Sequence, residues 1–225
     1  MSGIRARKNK LKVFLSLILI FGPAFLLIFI GTRGCDHKFE KLEDYGLATQ
    51  YSFIDISGKS RSYSEFQNSI VLISTIQESC PDTCSISLWH IDQILYQHIR
   101  KNKSKKLKQV KLISFVTDGK GNPVKDLKYM SSILKERVEG YDPELWILAT
   151  GDVKSIYNFT NNGKSLLEKG KQYFGGEYFQ EILLLLDKSN HLRMALRGNQ
   201  EGMVRTMKEH LALLQKQYDK EAKQN

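Results

Sequence analysis

Apolar and polar positions along this chain mark strands and helices in turn. Tyr51-Ser52-Phe53-Ile54-Asp55-Ile56 alternates with period two, as a half-buried strand does, and Ser57-Gly58-Lys59-Ser60 turns it. Two continuous apolar runs, Ile70 to Ile76 and Val110 to Thr117, read as buried strands, and Leu145 to Ala149 and Ile182 to Leu186 as shorter ones. Helical spacing separates them. Cys84, Leu88, Ile91 and Leu95 stand at i, i+4, i+7 and i+11, and Leu127, Met130, Leu134 and Val138 line one side of a helix from Val124 to Val138. A short helix is expected from Val153 to Phe159, and a loop with a partial helix from Asn161 to Gly176. Asp187-Lys188-Ser189-Asn190 turns the chain so that Leu192 to Arg197 pairs back as a hairpin, and a final helix spans Gly202 to Lys220.

The order β-β-α-β-α-β-α-β-β-α predicts an α/β, thioredoxin-like fold with a mixed central sheet flanked by helices. A different element precedes it. Residues 13–32 carry no charge and are long enough for a transmembrane helix, with Gly22-Pro23 tolerable inside a bilayer. Arg5, Arg7, Lys8, Lys10 and Lys12 precede that span without an acid among them, which puts the N-terminus in the cytoplasm. The expected organisation is a cytoplasmic tail (1–12), the membrane helix (13–32), a stalk (33–47), the folded domain (48–215) and a C-terminal tail (216–225). The domain is expected outside the cytoplasmic membrane, in the periplasm or an equivalent space. The apolar span is longer than a signal-peptide core, and Thr32-Arg33-Gly34 is a poor approach to Cys35 as an acylated lipoprotein cysteine.

The net charge of +10 changes little in this picture. Five of those charges flank the membrane span, and Lys101 to Lys108 reads as a solvated loop without interleaved aromatics. Nothing points to nucleic acid.

The chemistry lies in Ser79-Cys80-Pro81-Asp82-Thr83-Cys84-Ser85, between the first buried strand and the first helix. Thiols at i and i+4 at the start of a helix share a face, where backbone N–H groups favour the thiolate. Such a pair can bind a soft metal, exchange disulfides or form a structural bridge. All three readings stay open on spacing alone. Cys35, near the membrane, has no assigned role.

Cys80-Pro81-Asp82-Thr83-Cys84 after a buried strand resembles the Sco/SenC family of copper-centre assembly proteins, whose signature is a CPxxC pair on a thioredoxin-like fold. Phe53-Ile54-Asp55-Ile56-Ser57-Gly58, Ser114-Phe115-Val116-Thr117-Asp118 with Pro123, and Trp146-Ile147-Leu148-Ala149-Thr150-Gly151-Asp152 agree in order. The resemblance implies copper bound by Cys80, Cys84 and a histidine, and passed to the subunit of cytochrome c oxidase bearing the binuclear copper site. At the histidine position this chain has Phe179 or Gln180. His37, His90, His98, His191 and His210 are all poorly spaced to replace it. The expected function is therefore handling of Cu(I), of thiols, or of both. The alternatives are a thiol–disulfide oxidoreductase that uses Cys80 and Cys84 without metal, and a non-catalytic derivative with a structural disulfide.

Overall fold

The computed structural model describes residues 15–29, 41–78, 88–103, 109–161, 164–165 and 179–222. It separates into two units, residues 1–40 and 41–225. The described part of the first is helix α1 (15–29), whose Leu15, Leu19, Ile20, Phe25 and Leu27 side chains are exposed. Among the described residues no helix is long and apolar enough to cross a membrane.

The second unit is built on a seven-stranded sheet of order β2-β1-β5-β4-β3-β8-β9. Its strands are β1 (Ser52–Asp55), β2 (Ser60–Ser62), β3 (Ile70–Gln77), β4 (Val110–Thr117), β5 (Trp146–Thr150), β8 (Ile182–Leu186) and β9 (Leu192–Arg197). A separate small hairpin joins β6 (Thr160–Asn161) and β7 (Lys164–Ser165). β3, β4 and β5 run parallel in the centre, while β1 on β5 and β8 on β3 are antiparallel, so the sheet is mixed as expected. Strands this apolar must be covered on both faces. Helices α2 (88–102), α3 (Lys128–Arg137) and α5 (Glu201–Glu221) share one core with Leu72, Leu112 and Trp146. The short helix α4 (Val153–Ile156) and the 3₁₀ turn Tyr63–Phe66 share the other with Phe53, Ile73 and Phe115.

Sheet register is pinned by buried polar contacts. Ser74 of β3 and Ser114 of β4 face each other in register with their hydroxyls 2.6 Å apart, and the Trp146 indole N–H donates to Ser114 Oγ at 2.8 Å. The resemblance-bearing stretches also do structural work. Asp55 Oδ1 accepts from the N–H groups of Ser57 and Lys59 and so ties the β1 turn. Gly151 lies so close to β1 that a Cβ there would meet the Ser52 carbonyl oxygen at 2.9 Å.

Four sequence expectations are corrected. Helix α3 begins at Lys128 rather than Val124, because Pro123 bridges to Thr117 and the Val124 N–H donates to Val116 O, keeping that stretch extended. Helix α2 contains a π-helical stretch, Ile91–Tyr96, within which the 3.6-residue period does not hold. The helix expected to Phe159 ends at Ile156. Residues 41–47, expected as stalk, bond to the β8–β9 edge: the Tyr45 N–H donates to Leu192 O at 2.9 Å, and His191 Nδ1 lies 2.9 Å from the Asp44 carboxylate.

Burial alone would raise the pKa of Asp55. Hydrogen bonds from Ser57 and Lys59 and the Arg61 guanidinium 3.8 Å away outweigh it and hold the carboxyl below the usual range. A folded-state pKa below the unfolded value contributes stability above the unfolded pKa of about 3.9, lost as pH falls through the folded value. Denaturant melts from about pH 6 to 3 are expected to show Asp55→Asn less stable at the upper end, with a shallower acid decline. Parallel curves for the two proteins would contradict this.

Candidate functional site

β3 and β4 end together, with Gln77 opposite Thr117, and the Glu78 N–H donates to Thr117 O at 2.9 Å. Two residues further along the chain is Cys80. Cys80 and Cys84 lie outside the described residues, as do Cys35 and His37. The site is therefore built from what surrounds the point where the chain leaves β3. In sheets with parallel strands, that carboxyl end is where ligands bind.

Three elements converge on it. The first is the Asp118 loop that follows β4. Its carboxylate accepts from the Asn122 N–H, the Asn122 side-chain amide and the Lys120 N–H, which together hold it below the usual carboxylate range. Gly121 in that loop has φ +76°, a conformation favouring glycine. The second is β3 itself, where Thr75 Oγ1 donates to the backbone carbonyl of Gln180 at 2.6 Å. The third is the 3₁₀ turn Phe179–Glu181 leading into β8.

Gln180 joins all three. Its Nε2 donates to Thr117 Oγ1 at 2.7 Å and to the Asp118 carbonyl at 2.8 Å, and its side chain is buried. Oε1 of the same amide is buried without a hydrogen-bond partner among the described residues. Phe179 and Gln180, the two residues offered for the histidine position, both sit in this 3₁₀ turn rather than on a strand. Gln180 is the one whose amide is held against the end of β4. The sequence offered Gln180 or Phe179 at the histidine position and carried no sign that Gln180 is buried. The partners that bury it, Thr117 and Asp118, are 63 and 62 residues away.

A model of the family described as SCO1/SenC matches residues 40–214. The chain belongs to the SCO1/SenC family. Its fold is similar to that of BsSco, described as a member of the Sco family of cytochrome c oxidase assembly proteins, with TM-score 0.53, 15% identity, and coverage of 79% of this chain and 98% of that one. It is also similar to a SCO1/SenC family lipoprotein from Bacillus anthracis, with TM-score 0.51, 16% identity, and coverage of 77% and 99%. A search of curated proteins found no match.

Four histidines of this SCO1/SenC chain lie among the described residues. His191 is at the opposite end of β8, paired with Asp44. His210 Nδ1 lies 2.8 Å from Thr206 O on α5, and His98 Nδ1 lies 3.4 Å from the Asn102 side-chain amide. His90 is buried in the first turn of α2 beside Trp89, with Nδ1 unpartnered among the described residues. Among the described residues no group of three His, Cys, Asp or Glu is placed to hold a metal ion.

Proposed function

We propose that this SCO1/SenC protein is anchored by the apolar segment 13–32 and uses Cys80 and Cys84 to receive Cu(I) and pass it on. Its recipient would be a respiratory cytochrome c oxidase subunit bearing the binuclear copper site. The observation that carries this reading is the end of β3, where Gln180, Thr117 and Asp118 converge and which precedes Cys80 by three residues in the sequence. Membership of the SCO1/SenC family and the fold likeness to BsSco support it. Two thiolates suit Cu(I), a soft ion that tolerates low coordination. A membrane location is supported by the exposed apolar side chains of α1 and the basic cluster before it.

A second reading, dithiol–disulfide exchange without metal, rests on the same Cys80 and Cys84, because a thiolate is the nucleophile of exchange as well as a soft metal ligand. Complementation separates the two. In cells lacking the gene, the wild type is expected to restore cytochrome c oxidase activity and the copper content of that enzyme, and Cys80→Ser or Cys84→Ser to restore neither. Restoration by an added small thiol reductant alone, without copper, would favour the exchange reading. The topology has its own test: a reporter fused after Asn225 should be active only outside the cytoplasm, and cytoplasmic activity would contradict the anchor.

A further inference from the structure

We propose that a cavity at the other end of β3, away from the candidate site, binds a neutral single-ring aromatic molecule carrying a hydroxyl group. The proposal does not depend on the copper reading. There β3 begins beside the end of β8, with Val71 opposite Leu186.

The cavity has a volume of about 250 Å³. An apolar cavity of about 150 Å³ takes a benzene ring, so this one has room for a ring and a few further atoms. Three segments enclose it: residues 47–51, the 3₁₀ turn Tyr63–Phe66 with Gln67 and Asn68, and the turn between β8 and β9. Hydrogen bonds tie these walls to one another. The Ala48 N–H donates to Asn190 O at 2.8 Å, and the Asn190 side-chain amide donates to Ala48 O at 3.0 Å. The Asn68 N–H donates to Lys188 O at 3.2 Å, and the Tyr63 N–H to Tyr51 O at 2.9 Å. The site is thus held in shape without a ligand, which lowers the ordering cost of binding.

Its floor is apolar and aromatic. Tyr51, Phe66 and Val71 are buried, and the Tyr51 and Tyr63 rings meet edge to face with centroids 6.3 Å apart. Ring faces and edges of this kind accept a further ring. The Tyr51 side chain is only 4% exposed, yet its hydroxyl has no hydrogen-bond partner among the described residues. Burial pushes this phenol's pKa up, so at neutral pH it stays protonated and can both donate and accept. Buried polar groups are nearly always satisfied, so an unpartnered hydroxyl on a cavity wall points to a polar group on what fills the cavity.

The charges nearby are already answered. The Asp187 carboxylate accepts from the Ser189 and His191 N–H groups and lies 3.5 Å from the Arg193 guanidinium. The Lys188 ammonium is 4.5 Å from the centre of the Tyr218 ring. Tyr218 packs on the core that holds α5, whereas Tyr51, Phe66 and Val71 belong to the core on the other face of the sheet. A charged ligand would enter this cavity without a counter-ion, at a high desolvation cost.

The test uses the full chain in detergent, with phenol, toluene, cyclohexanol and benzoate as probes at free concentrations fixed by dialysis. Phenol is expected to shift the amide resonances of Asn68, Ser189 and Asn190 saturably. It should also slow hydrogen exchange at Ala48 and Asn68, whose N–H groups tie the walls. Toluene, lacking the hydroxyl, and cyclohexanol, lacking the aromatic faces, should each bind about 3–10-fold more weakly. Benzoate should bind at least ~10-fold more weakly. Tyr51→Phe should erase the preference for phenol over toluene and leave toluene affinity unchanged. Equal binding of phenol and toluene to the wild type, or a preference that survives in Tyr51→Phe, would overturn the inference. So would phenol that never saturates these shifts, which leaves the cavity to water alone. If Tyr51→Phe does not fold, the wild-type order of the four probes decides.

Discussion

Replacing Trp146 by alanine is expected to lower the unfolding free energy by about 3–5 kcal/mol, the usual cost of emptying a large aromatic site in a core. The side chain is fully buried in β5, with its ring centroid 5.2 Å from Tyr96 and 6.4 Å from Tyr141. It also donates to Ser114, whose hydroxyl meets Ser74 across the two central strands. Truncation therefore leaves a cavity between α2 and the sheet and removes one donor from the contact that pins β3 to β4. Those strands set the position of the residues at their carboxyl ends. In a thermal melt the change corresponds to a midpoint lower by roughly 6–20 °C for a domain of this size. Trp146→Phe should cost less, since it refills most of the volume and loses only the hydrogen bond. A loss below about 1 kcal/mol for Trp146→Ala would mean that this core collapses around the gap.

Serine at Cys80 or at Cys84 is expected to have the largest effect on activity. Either change replaces a soft sulfur donor by a hydroxyl that does not ionise near neutral pH, and so removes Cu(I) retention and dithiol–disulfide cycling alike, by at least ~100-fold. The two variants should differ in one respect. Cys80 is followed by Pro81, a residue suited to a helix's first turn, and is expected to be the more reactive thiol. In the wild type, alkylation of Cys80 should show an apparent pKa below the ~8.5 of a free cysteine, with Cys84 reacting more slowly. Cys84→Ser should then trap a mixed disulfide on Cys80, whose sulfur attacks the partner disulfide and expels one partner thiol, with no second cysteine of the pair to resolve it. Equal reactivity at both positions would favour a passive bridge. Retained activity in both serine variants would move the chemistry to Cys35.

Much of this architecture was legible because its signals are local. β4 spans Val110–Thr117 as read from its unbroken apolar run, and β8 and β9 follow the same logic on either side of the Asp187 turn. The stripe Leu127, Met130, Leu134 and Val138 is buried throughout. What escaped depends on distant partners. β2 is Ser60-Arg61-Ser62, without an apolar pattern. It pairs Arg61 with Phe53, and the guanidinium is buried over the Phe66 ring among Asp55, Glu65 and Glu144. Residues 41–47 look like a polar linker, yet Asp44, His191 and Arg193 join them to the β8–β9 edge. Gln180 illustrates the limit at the site itself. An isolated glutamine before an apolar strand carries no signal of burial. Its place emerges only when β3, paired with β4 on one side and β8 on the other, brings Thr117 and Asp118 to it.

Cu(I) binding to the fully reduced full-length chain, in competition with a chelator of known affinity, tests the central claim most directly. One Cu(I) per chain, retained by the wild type and lost in Cys80→Ser, is the predicted result. A reduced wild type that yields all its copper to the chelator, or a Cys80→Ser/Cys84→Ser variant that holds copper equally well, would contradict it.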